Sequence, residues 1–237
     1  MAKFILKNAN VRFNEIDLTG LLNSINMDHT VEAKDADTFD ISSKRRLPGL
    51  ESINVSHNGF WDNANSEDLE MFSMLGNGPL IYSVTPEGNT VGNIAYTLKA
   101  QEAQYSPGAA IGEVFGFNLD LQSTGNLIRG RLGATGAKVA TGNGSALSLG
   151  AVSSTQSLYA SLHVIGASAD TLDVTIESDD NSGFTTAVVR GTFTQVTSIP
   201  TSQQIIVAGP FTDTFWRVVW TLGTAGPYTI FVVVGIR

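Results

Sequence analysis

The sequence predicts a mainly β protein in two parts: an N-terminal β-sandwich or barrel with one short α-helix, then a C-terminal antiparallel β-sandwich of jelly-roll or immunoglobulin-like type. Three observations predict it. Apolar residues recur at every second position in many short segments, the period of a strand with one buried face. Clusters of Gly, Pro, Asn and Asp separate these segments at turn spacing. Only one stretch carries a clear helical pattern.

In chain order, a hairpin is expected over 4–13 and a turn of helix over 17–24, with a strand over 26–33. In Ser52-Ile53-Asn54-Val55-Ser56-His57 apolar and polar residues alternate, with His57 on the apolar side. Asn65 to Gly76 is the helical stretch. Asn65 or Ser66 caps its free N–H groups, and Glu67, Asp68 and Glu70 suit the positive end of its dipole. Leu69, Phe72 and Leu75 share its apolar face, and Gly76 ends it. Phe115, Phe117, Leu119 and Leu121 alternate again. Seven further strands are expected near 145–152, 157–165, 171–178, 186–195, 203–208, 214–222 and 227–235.

Between the two parts lies GATGAKVATGNGSA (133–146), whose Gly, Ala and Thr read as a linker or long loop. The boundary is placed there, giving domains 1–138 and 139–237. Residues 1–136 hold 16 acidic and 10 basic residues, and 137–237 hold 6 and 4.

Composition narrows the function. The 237 residues carry a net charge of −8, and 15% are charged, below the ~25% usual in soluble domains. A basic nucleic-acid-wrapping face needs clustered Lys and Arg, which this balance argues against. With no Cys, thiol catalysis, disulfides and thiolate metal sites are excluded. No apolar run approaches the ~18 residues of a membrane helix. The apolar part of MAKFILKNAN is too short for a signal peptide, so a product made in the cytoplasm, with no membrane binding, is expected.

The search for chemistry predicts no enzyme, no cofactor and no metal. His29, His57 and His163 lack ligand spacing. His57 reads as a hydrogen-bonded core residue and His163 as a surface one. GRLGATGAK (130–138) resembles a phosphate loop in composition alone, since Ala137 separates Gly136 from Lys138. The carboxylates Asp35, Asp37 and Asp40, and Glu177, Asp179 and Asp180, lack the calcium-loop pattern. Trp216 and Trp220 read as core, Phe211 and Phe215 as exposed aromatics. Lys44, Arg45 and Arg46, together with Asp35 and Asp37, are expected at contacts between copies of the chain.

The order of EIDLTGLLNSI (15–25), NMDHTVEA (26–33), KRRLPGL (44–50) and INVSHNGFWD (53–62), followed by a short acidic helix, resembles the major tail tube protein of long-tailed bacteriophages (siphophage type). The resemblance covers roughly 1–133. The stretches SLYASLHV (157–164), SDDNSGF (178–184) and FWRVVWTL (215–222) resemble β-sandwich domains appended to phage tail proteins. It implies a structural subunit of homohexameric rings, stacked into a tube through which the genome is ejected. Its implied partners are itself, a tape-measure protein, tail terminator or tail-tip proteins, and double-stranded DNA in transit. Its implied location is the virion tail. The alternative reading is a carbohydrate-binding or host-adhesion module built on the second domain.

Overall fold

In the computed structural model, residues 6–37, 43–62, 67–166, 170–223 and 226–237 are described. The expected start of the first hairpin, the helix caps Asn65 and Ser66, and Asp40 lie outside them. The elements run β1 (Asn10–Phe13), β2 (Ile16–Asp17), β3 (Leu22–Asp35), β4 (Arg46–Phe60), α1 (Glu67–Met74), β5 (Leu80–Thr85), β6 (Ile94–Gly108), β7 (Gly116–Ser123) and β8 (Ile128–Lys138). They continue with β9 (Gly142–Asn143), β10 (Leu147–Ser148), β11 (Ser157–Ile165), β12 (Leu172–Asp179), β13 (Val188–Thr192), β14 (Thr201–Ala208), β15 (Phe215–Leu222) and β16 (Tyr228–Ile236). The protein is mainly β, with one helix among the described residues, as its alternation predicts.

The chain divides into two compact units, interleaved in sequence. The first holds residues 1–20, 80–99 and 128–237, and the second 21–79 and 100–127. The expected cut at 138/139 coincides with no limit of either. Strand β6 is shared, residues 94–99 belonging to the first unit and 100–108 to the second.

The first unit is a two-sheet structure. One sheet runs β14-β11-β16-β8-β6-β5-β1-β2, and the other β10-β15-β12-β13, with β9 also on β15. Between them lies a core that includes Leu158, Leu162, Val174, Ile176, Trp216 and Val232. Both faces of β16 are covered. Ile230, Val232 and Val234 join this core, while Phe231 and Val233 pack with Ala95 and Leu132. That is why YTIFVVVGI reads as a nearly unbroken apolar run.

The stretch 133–146 is no linker. Residues 133–138 complete β8, and 134–138 pair antiparallel with β16. Its small residues serve close approach: a Cβ on Gly130 would lie 2.2 Å from the Val234 carbonyl oxygen, and one on Gly133 2.6 Å from Val218 Cγ2. Residues 17–24 form no helical turn but the end of β2, a turn and the start of β3. Of the seven later strands, 145–152 and 186–195 shrink to Leu147–Ser148 and Val188–Thr192; the others fall within two residues of expectation at each end.

His163 is buried, not superficial. Its strand β11 lies between β14 and β16. Its Nδ1 is 2.7 Å from the Asn14 carbonyl oxygen, and its Nε2 2.8 Å from Ser83 Oγ. Burial holds the imidazole down to about 4. Being neutral, it donates from Nδ1 to that carbonyl and accepts from the Ser83 hydroxyl at Nε2. Ser83, Thr97, Ser161 and Gln204 extend this polar seam in steps of 2.8–3.0 Å.

Candidate assembly surface

In the second unit the sheet order is β3-β4-β7-β6. Strands β3 and β4, of 14 and 15 residues, form a ribbon about 45 Å long at ~3.3 Å per residue. Strand β7 supports β4 only over residues 54–60. From residue 53 outward β4 pairs with β3 alone, and among the described residues β3 pairs with nothing else. The outer ribbon is therefore two strands wide, with a long free edge. Such an edge is a template for another strand, and a two-stranded ribbon alone is marginal.

The register sorts this sheet into alternating rows. Ser24, Asn58, Asn118 and Ser106 lie side by side, as do Asn26, Ser56, Asp120 and Gln104, and then Asp28, Asn54, Gln122 and Gln101. These three rows share one face, and they hold Asp28 and Asp120 and no Lys or Arg. Between them, on the opposite face, run Ile25, His57, Leu119 and Tyr105, and then Met27, Val55, Leu121 and Glu102.

Glu102 is the anomaly in an apolar row. The pairing shifts between Glu102 and Gln104, leaving Ala103 as an extra residue opposite β7. That bulge resets the alternation and turns Glu102 inward. Its side chain is buried, and neither carboxylate oxygen has a hydrogen-bond partner. Burial pushes its carboxyl up to about 7. His57, in the next row, sits with Nδ1 3.3 Å from the Leu119 carbonyl oxygen. Burial holds it down to about 4, which matches its reading as a core histidine.

Helix α1 turns over the face that its sequence suggested. Met71 is its buried residue, while Leu69 and Phe72 are 69% and 68% exposed and Leu75 is also exposed. The helix is tied down by Met71 and by the Tyr105 hydroxyl, which donates to Asp68 Oδ1 at 2.5 Å. Its end is as expected: Gly76 has φ +75° and its N–H donates to the Glu102 carbonyl at 3.1 Å.

The residues expected at contacts between copies gather at the ribbon's outer end. Lys44 Nζ and Arg46 Nε stand 4.0 and 3.4 Å from the Asp35 carboxylate. The Arg45 backbone N–H donates to Asp37 Oδ1 at 2.7 Å. These charges are exposed, so their pairing contributes little to stability. Leu47 and Leu50 are exposed beside them, Leu50 by 82%. Sequence reading missed this apolar component of the tip, although both leucines flank the Pro-Gly pair.

The other candidates are structural. Glu177 pairs with Arg217 at 2.7 Å. Asp179 accepts backbone N–H bonds from Asn181 and Thr186, which hold its carboxyl below its usual range. It thus orders a turn. Among the described residues no group of three or more His, Cys, Asp or Glu is placed to hold a metal ion. Trp216 and Trp220 are core residues. Phe211 and Phe215 are half-buried rather than exposed, because Phe211 packs on that core, edge-on to Trp216, with Arg190 over its ring at 5.0 Å. An open cleft of about 440 Å³ in the second unit, lined by Asn58, Phe60, Ser106, Pro107 and Asn118 among others, has no titratable side chain in its wall.

No family model matches the chain, and no curated protein matches it. Several solved structures are similar to it. A chain from the virion of a native gene transfer agent particle aligns with TM-score 0.40 and 14% identity, over 52% of this chain and 95% of that one. A chain of the PVC sheath-tube complex, an extracellular contractile injection system in its extended state, gives 0.45 and 10%, over 54% and 92%. The SPP1 Dit protein, described as a paradigm of the hub adsorption apparatus in phages infecting Gram-positive hosts, gives 0.39 and 10%, over 98% and 100%.

Proposed function

We propose that the chain is a structural subunit of a bacteriophage-type tail tube, assembling with copies of itself into stacked rings, hexameric as the sequence resemblance implies. The observation that carries this reading is the second unit's sheet. It combines a 14-residue free edge with three polar rows that hold no cation. A free edge is satisfied by a strand of a neighbouring copy. When the contact is head-to-tail, the result is a closed ring or a filament. DNA is held by Lys and Arg that displace its counterions. A wall of Asn, Gln, Ser and two Asp offers none, so a duplex slides past it.

In this reading the polar rows face the bore, and Lys44, Arg45 and Arg46 lie at a contact between copies with Asp35 and Asp37. The tape-measure protein and the tail terminator or tail-tip proteins are its partners, and the virion tail is its location. Carbohydrate binding through Phe211 and Phe215 finds no support, since both rings are half-buried.

Negative-stain microscopy of the concentrated full chain tests the proposal. Rings or tubes on the order of 100 Å wide are expected, from closing about two dozen strands. A protein that stays monomeric across salt and concentration refutes it.

A further inference from the structure

Charge in the second unit is sharply divided. It holds thirteen acidic and four basic residues, and the basic ones are Lys34, Lys44, Arg45 and Arg46. All four lie between residues 32 and 46 of the sequence, together with four of the acids. Outside that segment the unit has nine carboxylates and no Lys or Arg. Two copies of such a body repel one another except where the ribbon tip of one meets the acidic body of the next.

The exposed apolar residues mark where on that body the meeting occurs. Leu47 and Leu50 project from the tip beside the cations. The pairing irregularity between Val31 and Ala33 leaves one residue more on β4 than on β3. That interrupts the two-residue period and brings leucines three apart to one face. On the body, α1 joins an exposed apolar stripe to three acids. Leu69 and Phe72 on α1 and Leu75 in the turn that follows it recur every third residue and are all exposed. Glu67, Asp68 and Glu70 occupy its first turn, with no base in its last. The segment 32–46 holds every cation of the unit, balanced by Glu32, Asp35, Asp37 and Asp40, whereas α1 holds acids alone, and each surface leaves large apolar side chains in water.

We propose that the ribbon tip of one copy docks on α1 of a second copy, placing Leu47 and Leu50 against Leu69, Phe72 and Leu75, and Lys44, Arg45 and Arg46 against Glu67 and Glu70. This rests on the self-assembly reading and names its receiving surface. The contact is heterologous, so each copy uses its tip once and its helix once. Asp68 stays committed to Tyr105.

The absence of cysteine makes a clean cross-linking test. The full-length Leu47→Cys/Phe72→Cys variant, oxidised after assembly, is expected to give a ladder of covalent oligomers on a non-reducing gel. An equimolar mixture of the two single variants is expected to stop at dimers. Monomer bands alone from particles that microscopy shows to be assembled overturn the docking while leaving self-assembly standing. Failure of the unmodified chain to assemble overturns both.

Charge reversal gives an independent measurement. Lys44→Glu/Arg45→Glu/Arg46→Glu and Glu67→Lys/Glu70→Lys are each expected to raise the critical concentration for assembly about tenfold, or ~1.4 kcal/mol. Combining them is expected to restore it. Unchanged assembly in both sets, or no recovery in the combination, overturns the pairing.

Discussion

The two units differ first in charge and then in what they bury. The first carries ten basic and nine acidic residues, so the chain's net −8 arises entirely in the second. The first fills a two-sheet core with Trp216, Ile176, Val232 and their neighbours. Among its described residues the second has one four-stranded sheet, a helix that buries a single residue, and ten large apolar side chains left exposed, from Val31 and Leu47 to Val114 and Phe115. Stability is thus concentrated in one unit and the capacity for association in the other. A surface that must accept a partner is built from the apolar groups that a self-sufficient core would have consumed.

Substitutions can break that contrast. Trp216→Ala is expected to have the largest effect, costing about 4 kcal/mol in chemical denaturation. The ring is fully buried and its Nε1 donates to the Gly150 carbonyl at 2.9 Å. Met71→Ala in the second unit is expected to cost about 2 kcal/mol, because the site lies under a two-turn helix that can settle. An equal or larger loss there would mean that the second unit is as deeply packed as the first.

Acidity separates the units next. His163 is held at about 4 against an ordinary 6.5, so the unfolded chain binds the extra proton. Its contribution to the first unit is complete above pH 6.5 and is lost as pH falls toward 4. Glu102 runs the other way. Its folded value of about 7 exceeds its ordinary 4.5, so stability is fullest below pH 4.5 and declines as pH rises to 7. His57, held at about 4, opposes it up to pH 6.5. Hydrogen exchange, corrected for intrinsic rates, should show protection around α1 and β6 falling as pH rises from about 6.5 to 7 and staying level above it, while β11 and β16 stay flat. Glu102→Gln should remove that fall; persistence of the fall in the variant would acquit the carboxyl.

The smallest effect is expected for Leu50→Ser. The side chain is 82% exposed, so the monomer's stability should stay within about 0.5 kcal/mol. A larger loss would show that the ribbon tip is held by its own unit rather than awaiting a partner.

Much of this was legible in the residues. The strands β4, β7, β12 and β15 follow from alternation, because a half-buried strand shows its two faces in its sequence. His57 was placed in the core for the same reason. His163 was misplaced because β11 is covered on both faces, and alternation cannot report a second cover. The 133–146 stretch was misread because glycine signals a flexible loop and a tightly packed strand alike; which one holds depends on what stands 2–3 Å away. Which way the α1 face turns was not legible, because eight residues offer only two turns, and an apolar stripe that usually turns inward is here turned out.

Local period and composition sufficed for the fold class, the half-buried strands, the acidic balance and the cationic cluster at Lys44, Arg45 and Arg46. Folding in three dimensions set which segments share a unit, that Glu102 turns inward, and that every cation of the second unit lies on one ribbon. Those facts depend on register and bulges, and pairing across distant segments leaves no local trace in the chain.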